Sequence, residues 1–173
     1  SNSSAASDVY KRQGKNLAAP RNPKIFQGER ILIARIPVKS RYVFRACYTN
    51  DEYVHEQSIE SISNLKAEPF YLLGVLNSKI VSYYAIQKFD FLQRNTFPQM
   101  RLTQIKQFPI PNATDEQQRF LSGLVRNLMG EFEKEKPDKS KIADLNIEID
   151  EYVMDIFDLN ESEKESIRDF EVG

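Results

Sequence analysis

The stretch PFYLLGVLNSKIVSYYAIQKF, residues 69–89, decides how this chain folds. It is the most apolar run in the sequence, and Asn77, Ser78 and Lys79 interrupt it. Leu72, Leu73, Leu76, Ile80, Tyr83 and Tyr84 recur at three- and four-residue steps, the pattern of an amphipathic helix. Pro69 suits a first helical turn. Asn77 and Ser78 are poor mid-helix residues and good caps, because their side chains accept backbone N–H bonds. The stretch therefore reads as two short helices, near 69–76 and 78–87, meeting at a bend. The alternative is one continuous helix with Asn77 and Ser78 on its exposed face. No residue in the run can serve as nucleophile, metal ligand or general base. The apolar part, 17 residues from Phe70 to Ile86, is short for a membrane span and contains Lys79. No membrane partner and a cytoplasmic location are the expectation.

Upstream, the sequence reads as β structure. Gln27-Gly28-Glu29 is a turn, ILIARI (31–36) a compact β-branched strand, and Pro37 its end. RYVFRACY (41–48) alternates, with Tyr42, Phe44, Ala46 and Tyr48 on one side and Arg41, Val43, Arg45 and Cys47 on the other. EYVHEQSIESI (52–62) returns as a third strand or extended segment. Residues 1–13 read as a non-native or disordered leader and stand outside this pattern.

Downstream, Pro98, Pro109 and Pro111 prevent a long helix. A loop, a helical turn near 102–107 and a short strand at 107–110 fit. From residue 112 the period is helical. Thr114 with Gln117 forms a capping box, and Phe120, Leu121, Leu124, Val125, Leu128, Met129 and Phe132 mark one helix. Ile142, Leu145, Ile149, Val153 and Ile156 mark a second, close to a heptad seam. Asn160 with Glu163 caps a last short helix. The fold class expected is α+β: a small, mostly antiparallel sheet with packed short helices (14–111), then a C-terminal antiparallel helical hairpin and capping helix (112–173).

Composition narrows the chemistry. The chain has 173 residues, one His and one Cys. A disulfide framework, a Cys-rich zinc site and a His-based metal triad are therefore excluded within it. Cys47 reads as a small buried hydrophobe and His55 as a polar surface group. The carboxylates of IEIDEYVMDIFD (147–158) read as a solvated helix face. No Gly-rich phosphate loop or dinucleotide fingerprint is present. The net charge of −1 hides an asymmetry: residues 1–111 hold 16 Lys/Arg against 8 Asp/Glu, and residues 112–173 hold 8 against 17. A basic half of this kind suits a polyanion.

Within the basic half, Lys39, Arg41 and Arg45 cluster at the second strand. Lys88, Gln93, Arg94, Asn95, Thr96, Gln99 and Arg101 cluster after the opening stretch. Lys and Arg neutralise DNA phosphates and release counterions; Asn, Gln and Thr in loops can read base edges. The candidates for phosphate are Arg35, Lys39, Arg41, Arg45, Lys88, Arg94 and Arg101. Those for base edges are Gln57, Gln93, Asn95, Thr96 and Gln99. No catalytic and no metal-binding residue is proposed.

Four segments in register then resemble a known family: FQGERILIARI (26–36), YLLGVLNSKIVSYYAI (71–86), TFPQMRLTQIKQFPIP (96–111) and IDEYVMDIFDLNESEKESI (149–167). They are similar to the TaqI-like C-terminal specificity domain, the target recognition domain of adenine-specific DNA methyltransferases and fused restriction–modification enzymes. The resemblance spans roughly residues 20 to 170. It implies recognition of double-stranded DNA without catalysis. It also implies a catalytic methyltransferase domain N-terminal to this region in the same parent chain, and S-adenosylmethionine bound there rather than here. The Asn-Pro-Pro-Tyr/Phe motif of such catalytic domains is absent; RNPKIF (21–26) lacks the second proline. The rival reading is a protein-interaction or spacer module of a multi-subunit restriction specificity protein, with the acidic hairpin as its docking part.

Overall fold

A computed structural model describes residues 22–38, 40–89 and 99–171. Among these residues lie three strands, β1 (Arg30–Ala34), β2 (Ala46–Thr49) and β3 (Ile59–Ser63), and six α-helices. The helices are α1 (Pro69–Asn77), α2 (Lys79–Lys88), α3 (Leu102–Ile105), α4 (Asp115–Phe132), α5 (Lys139–Ile156) and α6 (Glu161–Arg168). The class is α+β, as the periodicities indicate.

The sheet is antiparallel with order β2-β1-β3. Ile31 lies opposite Tyr48 and Ile62, and Ile33 opposite Ala46 and Glu60. Side chains alternate across a strand, so Ile31, Ile33, Ala46, Tyr48 and Ile62 share one face, and this face joins the core. Arg30 belongs to the other face and is fully buried. Its guanidinium donates to the carbonyls of Gly28 (2.6 Å), Asp51 (2.8 Å) and Tyr53 (3.3 Å), closing the 50–54 loop over the start of β1. Gly28 has φ +75°, the left-handed conformation that the turn before β1 requires and that Gly adopts freely.

Several expectations from the sequence change. The second strand covers only Ala46–Thr49; upstream, the Val43 N–H donates to Ser82 Oγ of α2 rather than to a ladder (3.0 Å), and the Tyr42 hydroxyl donates to Asp150. Pairing with β1 continues in pieces: Ala34 N–H donates to Arg45 O (2.9 Å), and Val38 N–H to Val43 O (2.9 Å) beyond Pro37, which has no N–H to give. The third segment is strand only from Ile59 to Ser63. Its preceding loop buries His55, whose ring meets Phe26 edge-on at 5.2 Å, so His55 is not a surface group. No strand forms at 107–110; Phe108 instead inserts its ring against Phe44 at 5.0 Å. Cys47 is exposed, not buried, since it shares the outward side of the edge strand with Arg45.

The opening stretch is two helices with a bend at Ser78, whose φ −71° and ψ 158° are extended. Pro69 starts α1, capped by the Glu68 side chain, which accepts from Tyr71 N–H at 2.8 Å. The capping boxes at Thr114/Gln117 and Asn160/Glu163 form as their spacing predicts. α4 packs on α1 at Gly74, where a Cβ would stand 2.9 Å from Val125 Cγ2 and 3.2 Å from Leu121 Cγ. One hydrophobic cluster therefore runs from Ile31 and Ile33 through Leu73, Leu76 and Val81 to Leu121, Val125, Ile149 and Val153. No described helix is long and apolar enough to cross a membrane.

Candidate nucleic-acid interface

The polar break in the opening stretch ties the helices to the sheet. Asn77, the last residue of α1, does not cap the bend as its position suggests. Its carboxamide binds one peptide group of β2 in both directions: Oδ1 accepts from Ala46 N–H (2.8 Å) and Nδ2 donates to Ala46 O (3.0 Å). In an antiparallel pair alternate residues turn their peptide groups away from the partner strand. Ala46 is such a residue, so Asn77 stands in for a missing fourth strand at that point. Ser78 supplies only a local bond, its hydroxyl donating to Val75 O (2.7 Å). On α2, Ser82 Oγ accepts from Val43 N–H (3.0 Å).

The N-terminus of α2 is capped from outside. Asp150, on α5, accepts from Lys79 N–H through Oδ1 (2.8 Å) and from the Tyr42 hydroxyl through Oδ2 (2.7 Å). A carboxylate there also complements the positive end of the α2 dipole. Asp150 is only 6% exposed, so it is not part of a solvated face. Burial pushes its carboxyl up, against the opposing pull of the Lys79 N–H, the Tyr42 hydroxyl and nearby Arg41. The Tyr42 hydroxyl is raised strongly, by burial first and by the Asp150 charge second. Lys79 is buried, which lowers its ammonium below the usual range; Nζ donates to the Arg168 carbonyl. Arg168 in turn grips Glu151 with Nε and Nη2, at 2.7 and 2.6 Å.

The segment 41–46 is thus held at Tyr42, Val43 and Ala46 by Asp150, Ser82 and Asn77. Arg41, just before the first of these points, and Arg45, between the last two, are exposed, while Phe44 is buried in the core. Sequence reasoning missed Asp150 because a carboxylate on a helix looks the same whether it faces water or another helix. The available signal was the stripe Asn146, Asp150, Met154, four residues apart and beside the apolar seam.

A second group gathers where β1 leaves the sheet. Arg35 Nε donates to Met100 O (2.8 Å) and Met100 N–H to Arg35 O (2.8 Å), which docks the 99–101 segment against β1. Arg35 Nη1 donates to Gln57 O (3.0 Å) and lies 3.4 Å from Glu60. Arg35 is half-buried and occupied inside the protein. Gln57, Gln99 and Arg101, which it brings together, are exposed, and Arg45 stands across the ladder from Ala34. Arg101 N–H donates to Gln104 Oε1 (2.8 Å) at the start of α3. Exposed Ile36 and Leu102 flank this group. Arg41 sits instead at the α1–α2 bend. Lys88 is exposed at the far end of α2, about 15 Å along its axis at 1.5 Å per residue. Lys39, Gln93, Arg94, Asn95 and Thr96 lie outside the described residues.

Elsewhere, a cavity of about 240 Å³ opens between β2, α1 and the hairpin, lined mainly by Tyr48, Leu73, Val125, Met129 and Phe132. Its one thiol, Cys47, belongs to a residue exposed overall, but the partial desolvation it meets against the cavity wall raises it above the ordinary thiol value. Among the described residues no three His, Cys, Asp or Glu side chains gather as metal ligands.

Residues 4–110 match the TaqI-like C-terminal specificity domain. This chain belongs to that family. A specificity domain of this kind serves DNA recognition in restriction–modification systems and is not itself catalytic. The match begins within the N-terminal 13 residues and stops at residue 110, before the hairpin, so the similarity read at 149–167 lies outside it. None of the curated proteins matches the sequence.

Proposed function

We propose that this chain reads a specific double-stranded DNA sequence for an adenine-specific methyltransferase of a bacterial restriction–modification system. The catalytic domain, with its S-adenosylmethionine, precedes it in the same parent chain, and the complex works in the cytoplasm. The observation that carries this reading is the exposed group at the exit of β1. There the bonds of Ala34 and Arg35 bring the segments that carry exposed Arg45, Gln57, Gln99 and Arg101 to one end of the sheet, within the family-matched span and on the basic part of the chain. Arg41, Arg45, Lys88 and Arg101, with Lys39 and Arg94, take phosphates. Gln57 and Gln99, with Gln93, Asn95 and Thr96, take base edges. Arg35 is the residue that assembles the group rather than a contact of its own. Such a domain closes on the duplex opposite the catalytic domain while the target adenine is turned out of the stack.

The test is selection of duplexes from a randomised pool, followed by titration of the selected site over a range of salt. Arg45→Ala and Arg101→Ala should each weaken binding and lower the salt slope by about one unit, the share of one phosphate contact. Gln57→Ala and Gln99→Ala should leave the slope alone and relax preference at single base pairs. No enrichment from the pool, or unchanged slopes in both Arg variants, refutes the assignment.

The hairpin favours a second role beside the first. It exposes Phe120, Phe132 and Ile147, with Phe132 at 59%, on the acidic part of the chain. This suits docking to a protein partner. Self-association without DNA that is lost in Phe132→Ser supports a docking role; a monomer at all concentrations removes the self-association form of it.

A further inference from the structure

Asp150 stands 40 residues beyond the end of the family match, yet it is bonded to two points inside that span. One is the first amide of α2; the other is the hydroxyl of Tyr42, next to Arg41. Neighbouring bonds tie down the 40–43 segment as well. Val38 N–H reaches Val43 O, Ser40 Oγ donates to Tyr42 O (2.6 Å), and Val43 N–H reaches Ser82 Oγ. Arg41 lies on this segment with its side chain exposed and in neither a hydrogen bond nor an ion pair with the described residues. The buried Lys79 ammonium repels it and the Asp150 carboxylate attracts it. A cation presented on a main chain that is already fixed gives up less freedom when it meets a phosphate.

We infer that the Tyr42–Asp150 hydrogen bond positions Arg41 for a DNA phosphate, which makes the C-terminal hairpin part of the DNA-binding apparatus. This rests on the reading of the basic face as a duplex contact. Asp150 and Tyr42 are positioning residues here and touch no DNA themselves. The hairpin acts on this segment through one part-buried bond, from the Tyr42 hydroxyl to Asp150.

The experiment uses charge-neutral changes in the whole chain, because removing Asp150 itself would also alter the field felt by DNA. Tyr42→Phe keeps the ring and deletes only the hydroxyl. Ser82→Ala releases the same segment at Val43 and is the second probe. Each is confirmed folded by its urea transition and then titrated with the selected duplex. Tyr42→Phe should weaken binding about three- to tenfold in the native background and less than about twofold in an Arg41→Ala background, the non-additivity expected of residues that act together. In an Arg101→Ala background the full loss should persist, since those sites are independent. Ser82→Ala should follow the same pattern. Wild-type binding by both probes overturns the inference, and so does an equal loss in the presence and absence of Arg41. If Arg41→Ala alone binds as wild type, it is the assignment of Arg41 to a phosphate that fails.

Discussion

Replacing Asn77 by Ala sets two known effects against each other, and the structure says which wins. Ala is the better helix former by up to about 0.7 kcal/mol, less at a terminal position. Judged as a residue of α1 alone, Asn77→Ala should be neutral or stabilising. Against this stand two hydrogen bonds to one peptide group of Ala46, at 2.8 and 3.0 Å. Each contributes roughly 0.5–1.5 kcal/mol net, so the pair contributes about 1–3 kcal/mol. The edge of β2 is only half-buried, so water can replace part of the loss. The expected result is a destabilisation of about 1–2 kcal/mol, read as a urea midpoint lowered by roughly 0.5–1.5 M with an unchanged slope. Ser78→Ala is the internal control. Its hydroxyl bonds only to Val75 O, which also accepts from Ser78 N–H (3.1 Å), so its cost should stay under about 1 kcal/mol. If Asn77→Ala is as stable as wild type, or Ser78→Ala costs more, the bend is held by its own backbone and the account of Asn77 as the tie between helix and sheet is wrong.

Gly74→Val should destabilise by about 1–3 kcal/mol in the same assay, because α4 sits where the new side chain would go; Gly123→Ala, with open space at its Cβ, should not. Glu131 gives a pH test. Bonds from Lys134 first, then from the Asp138 N–H and Lys141, hold its carboxyl down to about 2 from an ordinary value near 4.5. A depressed folded value stabilises above the unfolded one and is lost as pH falls through the folded one. Glu131→Gln should therefore melt below wild type at pH 7, with the gap closing between about pH 4.5 and 2. Asp150 has the opposite sign: its raised value means that ionisation works against folding as pH rises past its ordinary 3.8. The melting point of Asp150→Asn relative to wild type should accordingly rise with pH over that range.

Features encoded within a few residues were legible in the sequence. The capping boxes at Thr114/Gln117 and Asn160/Glu163, the Pro69 start and the bend at Ser78 all depend on neighbours three or four positions away. The helical period of the hairpin turns Leu121, Leu124, Val125, Leu145, Ile149 and Val153 inward as read, but leaves Phe120 and Phe132, named with them, exposed. What sequence could not supply was the long-range partner. Asn77 and Ser78 look like caps, and one of them instead binds a strand 31 residues away. Arg35 reads as a phosphate ligand in the sequence, and nothing in it shows that Nε and Nη1 donate to the carbonyls of Met100 and Gln57. The alternation of 41–48 is real at Phe44 to Tyr48 but yields to side-chain bonds at Tyr42 and Val43. In each case a polar side chain had more than one way to be satisfied, and only the packing of distant elements chose among them.

That choice explains how a region outside the family match can matter to it. The sheet is too small to close its own edge: β2 has a partner on one side only, and such an edge invites wrong pairing. α1 and its terminal Asn77 cover part of that edge, but α1 can lie there only if its other side is covered too. The residues that cover it are Leu121 and Val125 of α4, seated against Gly74. α2 in turn needs a buried acceptor at its first amide, and α5 supplies it. The hairpin therefore fixes the helices, the helices fix the 41–46 segment, and the segment presents Arg41 and Arg45. A charge change on the surface of α5 should leave this chain of contacts intact, whereas an uncharged cut at Tyr42, Ser82 or Asn77 breaks it. The acidic and basic parts of the sequence are in this sense one device, with the negative charge kept on the scaffold and the positive charge on what the scaffold holds out.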